Sequence, residues 1–389
     1  MDPSRDLDRI VRELNARPEA DGNESSDTAI LDRWLSALLA KGGSDLLLVP
    51  GAPACILLEG GVRHIESEPM EGSEIEAIVL PALTPHALQQ YRAGQIADSS
   101  YRISGLGRFR INLHRERGRA AAAIRALPAK IPQLADLRLP ASVEALSHLQ
   151  RGLVLIGGPA GSGKSTTLAA LIHEINRREA RHIVTIEDPI EYEHAHIRSV
   201  IEQVEIGSDA ADFPAALRAA LRQAPDIIVV GEMRDVETMQ IAVAAAETGH
   251  LVFSTIHTTD VASTVSRIAD SFPVERQNTI RQELAMALTA VLTQILLPCK
   301  TGGRIPVAEL LMMSYGARQH IRHNALQHLH QEITITKKKG SFTLEESLVK
   351  LVGQGLIDRE DALLCAIHPD DLEILLKGEN QNRSTRSAT

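Results

Sequence analysis

Short, continuous apolar segments alternate with helical segments over residues 152–256, and this alternation restricts the fold more than any other feature of the chain. The apolar segments are LVLIG, HIVTI, DIIVV and LVFSTI. Between them lie TTLAALIHEINRR, FPAALRAALRQ and VETMQIAVAAAE, whose apolar positions recur at helical spacing. Strands without polar alternation that are joined through helices indicate a mostly parallel sheet buried on both faces. The sequence therefore predicts an α/β fold in this region.

A glycine-rich segment, GPAGSGKST, connects the first of these strands to the first helix and matches the pattern G-x-x-x-x-G-K-[ST]. Its glycines let the loop curl so that backbone N–H groups face phosphates, and the helix N-terminus adds positive potential. We expect Lys164 to reach the β- and γ-phosphates and Ser165 to ligate Mg²⁺. The predicted nucleotide-binding residues are Gly158, Pro159, Ala160, Gly161, Ser162, Gly163, Lys164, Ser165 and Thr166.

Acidic residues follow two of the predicted strands. Glu187 ends HIVTIE, with Asp188 next to it, and Glu232 follows DIIVVG. Ligands of open α/β sheets bind at the carboxyl ends of the strands. One carboxylate must help to hold Mg²⁺, usually through water, and another must orient or deprotonate the attacking water. We interpret Glu187 and Glu232 as this pair, although each could instead cap a strand or pair with an arginine.

Arginine is the second requirement, because it stabilises the charge that develops on the transferred phosphoryl group. Arg218 and Arg222 are four residues apart on one predicted helix, and Arg267 lies on a helix after LVFSTI. The predicted strands of the N-terminal region carry three further candidates, Arg108, Arg110 and Arg125.

Two histidines, His250 and His257, bracket the predicted strand LVFSTI. On a strand they would lie roughly 23 Å apart, too far to share one metal ion. His257 leaves the strand at the end where the acidic residues emerge, so it is the better candidate for sensing the γ-phosphate. His250 is interpreted as structural or as part of a subunit boundary.

A second group of histidines, His320, His323, His328 and His330, lies in the C-terminal region. We interpret it as a solvated helix face, with metal binding as the alternative.

The N-terminal half predicts a second, smaller α/β domain. Its strand candidates are DLLLVP, ACILLE, VRHI, GRFRINLHR and RAAAAIRAL, with helices near residues 71–80 and 84–93. The predicted division is a 1–28 appendage with a short amphipathic helix or a frayed tail, a 29–145 N-terminal domain with its connector, a 146–273 ATPase core, a 274–376 helical part and a 377–389 disordered tail.

Composition excludes several classes of protein. The net charge of −9 argues against a protein built mainly to hold nucleic acid. The three cysteines lie far apart, which excludes a disulfide framework and a cysteine-rich zinc site and fits a reducing cytoplasm. No apolar segment approaches the roughly 20 residues that span a bilayer, so we expect membrane contact only through partners.

Four motifs, GPAGSGKSTTLAALI, HIVTIEDPIEYEH, ALRAALRQAPDIIVVGEMRD and AAETGHLVFSTIHTTD, resemble those of the secretion-type hexameric ATPases in order and spacing. The chain is most similar to their type IV pilus retraction branch over about residues 30–376. The resemblance implies a small PAS-like domain followed by a RecA-like P-loop ATPase domain with a helical C-terminal region. It further implies a homohexamer that hydrolyses ATP with Mg²⁺ between its subunits. Such rings act on an inner-membrane platform protein from the cytoplasmic face and depolymerise pilin.

The same resemblance implies roles for individual residues. Glu187 corresponds to the catalytic carboxylate of the Asp box, and Glu232 to the residue of the atypical Walker B motif that contacts the metal and its water. His257 belongs to the His box. Arg222 and Arg267 correspond to family arginines near the nucleotide at subunit boundaries. With Lys164 of the Walker A loop, these residues form the expected catalytic set.

Some sequence features favour the pilus retraction branch, and others differ from what is usual in it. The assembly and type II secretion branches carry a tetracysteine zinc element, whereas this chain has only Cys299 in the corresponding region. Leu47, Gly316, Ala317 and His320 are not the usual residues of the retraction branch at their positions. The alternatives are therefore an accessory paralogue that works with a main retraction ATPase, an assembly ATPase, a nucleic-acid translocase and a nucleotide-binding regulator without turnover.

Overall fold

A computed structural model describes residues 26–58 and 61–386, with side chains described for 27–58 and 61–378. The short amphipathic helix predicted in the N-terminal appendage lies outside the described residues. The chain divides into two compact units. The first unit extends to Ile131 and includes Glu187–Ala195 and Gln203–Asp212, and the second contains Pro132–Ile186, His196–Glu202 and the chain from Phe213 onward.

The first unit is built on a six-stranded antiparallel sheet, in the order β3-β2-β1-β6-β5-β4. Its elements are α1 (Ala29–Ala40), β1 (Asp45–Leu48), β2 (Cys55–Leu58), β3 (Gly61–His64), α2 (Gly72–Val79), α3 (Pro85–Arg92), β4 (Ala97–Ile103), β5 (Gly107–Glu116) and β6 (Arg119–Ala126). Alternate residues of β5, namely Phe109, Ile111 and Leu113, are fully buried. This alternation gives the sheet one core-facing side, which α1 and α2 cover with apolar residues. The five predicted strands and both predicted helices are confirmed, whereas α1 and β4 were not predicted.

From Gly152 onward the strands form a seven-stranded sheet in the order β13-β12-β7-β11-β10-β8-β9. The elements are β7 (Gly152–Gly157), α4 (Lys164–Arg178), β8 (His182–Glu187), β9 (Val200–Glu205), α5 (Phe213–Ala220), β10 (Ile227–Val230), α6 (Val236–Glu247), β11 (Leu251–Ile256), α7 (Val261–Ser271), α8 (Val274–Ala287), β12 (Leu288–Pro298), β13 (Arg304–Met312), α9 (Tyr315–Arg322), α10 (Leu329–Ile335), α11 (Leu344–Gly353), α12 (Arg359–Cys365) and α13 (Pro369–Arg386).

The central strands of this sheet are parallel and buried along their whole length. β12, β7, β11, β10 and β8 pair in parallel, and every residue of β7, β10 and β11 is buried. The sequence predicted this arrangement. The Pro-punctuated segment before β7 contributes Val143 and Leu146 to the same core. The compact units therefore separate at Ile131 and Pro132, whereas the sequence placed the boundary after residue 145.

The prediction that residues 274–376 are helical is wrong where this range forms two long strands, β12 and β13. β12 is parallel to β7, and β13 pairs with β12 in the antiparallel sense at the edge of the sheet. Leu288 is both the C-cap of α8 and the first residue of β12. No glycine or proline separates the two elements, so the usual turn signal is missing.

Two smaller predictions also need correction. α5 ends at Ala220, so Arg222 lies in the turn after it and not on the same helix as Arg218. α13 continues to Arg386, where the sequence predicted a disordered tail from residue 377. Glutamate, glutamine and arginine in that segment are good helix formers, so a polar composition does not end the helix. A capping box of Thr343 and Glu346 begins α11.

In the part of the chain that the structure describes, no helix is long and apolar enough to cross a membrane.

Candidate nucleotide-binding site

The glycine-rich loop lies between the buried strand β7 and helix α4, as the motif requires. Gly158 has a φ of 153° and Gly163 a φ of 86°, conformations that side chains rarely adopt. A Cβ atom on Gly158 would lie 2.4 Å from both the Gln294 carbonyl oxygen and Ser162 Oγ. The loop can therefore follow this path only with glycine at position 158.

Lys164 folds back over the loop. Its Nζ donates hydrogen bonds to the carbonyl oxygens of Gly158 at 2.8 Å and Pro159 at 2.9 Å, and its side chain is buried. Ser165 is the second residue of α4 and lies at the positive end of the helix dipole. The hydroxyl of Ser162 is buried and has no hydrogen-bond partner among the residues that the structure describes. A buried polar group without a partner is costly, and a phosphate oxygen would satisfy it. The loop therefore fits a nucleotide phosphate.

Gln294 on β12 holds this loop, and sequence reasoning missed it. Its Nε2 donates to the Ser162 carbonyl oxygen at 2.7 Å, and its Oε1 accepts from Thr167 Oγ1 at 2.9 Å. The residue is almost fully buried. One amide therefore ties the phosphate loop and the first turn of α4 to the sheet. No sequence signal could indicate this contact, because β12 was interpreted as helical.

His257 brings together three of the predicted residues. It follows β11, and its Nδ1 lies 3.4 Å from Lys164 Nζ while its Nε2 lies 3.3 Å from Glu232 Oε1. The other Glu232 oxygen accepts a hydrogen bond from Arg234 Nε at 2.8 Å. The sequence predicted that His257 and Glu232 emerge at one edge of the sheet, and the structure places them in contact.

Glu187 ends β8, as the sequence predicted, and its Oε1 accepts from Gln203 Nε2 at 3.2 Å. Both residues belong to the first compact unit. The catalytic role of Glu187 stays a prediction.

The arginine candidates divide into two groups. Arg222 and Arg267 are exposed, and the second lies on α7. The other four make ion pairs within the chain: Arg108 with Glu193 and Glu205, Arg110 with Asp98, Arg125 with Asp45, and Arg218 with Glu237. Exposure leaves Arg222 and Arg267 accessible to another molecule, whereas the paired arginines already have an anionic partner.

His250 lies at the opposite end of β11 from His257, as predicted. Its backbone carbonyl accepts from the Gly152 N–H at 2.9 Å, and its Nδ1 lies 3.1 Å from the Ala245 carbonyl oxygen. These contacts join the end of α6 to the start of two central strands, which agrees with the structural interpretation of His250.

The buried carboxyl group of Glu309 contacts the segment that follows His257. Asp260 caps the N-terminus of α7, and the Val261 N–H donates to Glu309 Oε1 on β13 at 3.1 Å. The pKa of Glu309 is raised to about 7, mainly because the carboxyl group is buried; the Val261 hydrogen bond opposes this shift, and the charges of Glu345 and Asp260 add to it. Glu309 therefore titrates near neutral pH at the base of α7.

Comparisons with known proteins identify the family of this chain. Residues 133–364 match the family described as type II/IV secretion system protein. The chain is 40% identical to the type IV pilus retraction ATPase PilT of Pseudomonas aeruginosa, covering 84% of this chain and 96% of the relative. It is 35% identical to the type IV pilus ATPase PilU of the same organism, covering 89% and 91%. A crystal structure of the pilus retraction motor PilT with bound ADP matches with a TM-score of 0.80 at 40% identity, covering 90% of this chain and 99% of that one.

These matches define a P-loop ATPase with a smaller N-terminal α/β domain. The chain belongs to the type II/IV secretion system protein family, and within it to the pilus retraction ATPases. The predicted family, fold class and ATPase activity are confirmed, and nucleotide binding is confirmed with them.

We predict that Gln294→Ala weakens ATP binding by about tenfold or more, because it leaves the loop carbonyl and the Thr167 hydroxyl without their buried partner, at a cost of about 1–3 kcal/mol. Fluorescent ATP-analogue titration of the purified protein measures this. Gln240→Ala, which changes an exposed glutamine on α6, is the matched control and should bind as the wild type does. Equal affinities for Gln294→Ala and wild type would refute the assignment.

We predict that Glu309→Gln changes how stability depends on pH. The folded state raises the pKa of Glu309 from about 4.5 to about 7, so folding holds this proton more tightly. The protonated carboxyl group of Glu309 contributes its full stabilisation of the folded state below about pH 4.5. This contribution is lost as the pH rises toward 7. Across that interval the wild type should lose thermal stability relative to Glu309→Gln, and the difference should level off above pH 7.

The control for this measurement is Glu275→Gln, which neutralises an exposed carboxylate on α8. Its melting temperature should stay parallel to that of the wild type across the same pH range. A difference between wild type and Glu309→Gln that does not change between pH 4.5 and 7 would contradict the assignment.

Proposed function

We propose that this protein is the ATP-hydrolysing motor of type IV pilus retraction and that it works as a ring of six copies at the cytoplasmic face of the inner membrane. The observation that carries the proposal is the set of contacts from Lys164 through His257 to Glu232, in a chain that matches a pilus retraction ATPase over nearly its whole length. These contacts connect the phosphate loop to the carboxylate that follows β10.

The binding step follows from the phosphate loop. The N–H groups of residues 158–166 and the N-terminus of α4 attract the phosphate oxygens. Lys164 then exchanges its hydrogen bonds with the loop carbonyls for contacts with the β- and γ-phosphates. Gln294 keeps the loop in place while this happens, because both of its amide atoms are already bound.

Mg²⁺ fits the hydroxyl and carboxylate donors of this site. Ser165 would ligate the ion directly and Glu232 would hold it through water, and oxygen donors of these types are those that Mg²⁺ prefers. The ion supplies positive charge that balances the charge on the phosphate oxygens.

Hydrolysis needs a base and a positive charge. Glu187 ends β8, where a carboxylate can orient and deprotonate the attacking water, and we assign it that role. Arg222 and Arg267 are exposed, and within the described residues they make none of the ion pairs that occupy the other candidates. We assign them to the nucleotide of a neighbouring subunit, which makes the ring necessary for turnover.

His257 converts the nucleotide state into a structural signal. Contact of Lys164 with the γ-phosphate weakens its contact with His257, and loss of the γ-phosphate restores it. The ring nitrogen on the other side contacts Glu232, and Asp260 caps α7 three residues further on. The state of the phosphate therefore changes the position of α7, which carries Arg267.

The proposed partners are those expected of a pilus retraction ATPase. A retraction motor must act on an inner-membrane platform protein, and the similarity to PilU suggests association with a paralogous ATPase. The net charge of −9 gives no general attraction to nucleic acid.

We predict that Glu187→Gln lowers kcat for ATP hydrolysis by roughly 10²–10⁴ while ATP still binds, because the amide cannot accept the proton of water. Cells that carry this variant should accumulate surface pili that do not retract. Phosphate release by the purified protein and counting of pili by electron microscopy measure the two effects.

Glu202→Gln, which changes an exposed carboxylate on β9, is the control and should leave both readouts unchanged. Wild-type turnover in Glu187→Gln would refute its catalytic role. Cells without surface pili, both for Glu187→Gln and for deletion of the gene, would refute retraction and favour pilus assembly.

A further inference from the structure

Two imidazoles and a carboxylate meet in the C-terminal part of the second unit, away from the phosphate loop in sequence. His330 lies on α10, His368 precedes α13, and Asp371 lies in its first turn. One ligand atom of each residue lies within 4.8 Å of the other two. His330 Nε2 is 3.7 Å from Asp371 Oδ2, and the two imidazole rings have centroids 4.0 Å apart.

The elements that carry these residues are fixed by contacts outside the group. Leu329 and Ile333 flank His330 on α10 and are buried. On the other side, Leu372 and Leu376 anchor α13 in an apolar core with α11 and α12. His330 and Asp371 are therefore carried on packed helices, which position a site more accurately than loops do.

A buried carboxylate fixes the turn that presents His368. Glu345 on α11 is 1% exposed, and its Oε1 accepts from the N–H groups of Ile367 at 3.1 Å and His368 at 2.9 Å. These two bonds hold the backbone at the start of α13. His368 and Asp371, three residues apart, then point their ligand atoms to the same place.

The chemistry of the group indicates its ligand. Two imidazole nitrogens with one carboxylate oxygen suit Zn²⁺ and other late first-row divalent ions, whereas Mg²⁺ and Ca²⁺ prefer oxygen alone. Bonds of about 2.0–2.1 Å place tetrahedral ligands roughly 3.3 Å apart. The observed spacing of up to 4.8 Å needs a contraction of about 1.5 Å at most. Rotation of the His368 and Asp371 side chains, which are accessible to solvent, can supply it.

We propose that His330, His368 and Asp371 bind one divalent transition-metal ion of the zinc class, with water in the fourth position. The ion cross-links α10 to α13 and thereby fixes the C-terminal helix on the ATPase unit. The site uses histidines that the sequence alone could not connect, because 38 residues separate His330 from His368 and only the fold brings them together.

The test uses the full chain without an affinity tag, freed of metal by a chelator. Calorimetric titration with Zn²⁺ should show one ion per chain, and Co²⁺ should give the visible absorption of a four-coordinate nitrogen and oxygen site. His330→Ala, His368→Ala and Asp371→Asn should each weaken Zn²⁺ binding by about tenfold or more, since even the loss of an indirect supporting contact costs 10–100-fold.

His323→Ala is the matched control, because His323 is an exposed histidine of the same region outside the group. It should bind Zn²⁺ as the wild type does. Unchanged ATP binding in each variant shows that the second unit is folded. The proposal is overturned if the wild type binds no stoichiometric Zn²⁺, or if the three ligand variants bind it as tightly as His323→Ala does.

Discussion

The proposed coupling of ATP hydrolysis to motion depends on the position of one imidazole ring. His257 follows β11, a strand buried along its whole length, and its two nitrogens lie 3.4 Å from Lys164 Nζ and 3.3 Å from Glu232 Oε1. Because Lys164 belongs to the phosphate loop, a change in its contacts reaches His257 directly. The ring thus connects the loop that binds phosphate to the carboxylate at the end of the neighbouring strand.

The sheet makes this contact possible by bringing the ends of its central strands close together. β7 lies between β11 and β12, and its last residue, Gly157, pairs with Ile256 and Thr293. A Cβ atom on Gly157 would lie 2.7 Å from Thr258 Oγ1 and 3.0 Å from Thr264 Oγ1. A residue without a side chain at this point lets the segment after His257 and the start of α7 approach the phosphate loop. Gln294 on β12 then fixes the loop from the other side.

The sequence predicted the parts of this site that depend on local patterns. Glycine spacing identified the phosphate loop, and continuous apolar segments located the strands that end at Glu187 and before Glu232 and His257. Gln294 could not be predicted, because its partners are more than a hundred residues away in sequence and α8 passes into β12 without a turn signal. Hydrophobic periodicity shows which side of an element is buried but not which distant polar groups will meet there.

The same limit applies to the histidines of the C-terminal region. Their crowding in sequence suggested a solvated surface, and His323 is indeed exposed. His330, in contrast, lies beside His368 and Asp371, which follow a helix boundary fixed by the buried Glu345. Gly316, which is not the usual residue of the retraction branch at its position, also has a structural explanation. A Cβ atom there would lie 2.4 Å from the Glu332 carboxylate. Glycine at this position therefore accommodates a buried acidic residue on α10.

The most direct test of the central claim is His257→Ala, measured in parallel for ATP affinity and turnover in the purified protein and for pilus retraction in cells. The account predicts that ATP affinity changes little, because the loop glycines, Lys164 and Gln294 are untouched, while ATP hydrolysis no longer produces retraction. A large loss of ATP affinity with normal retraction per ATP hydrolysed would contradict it.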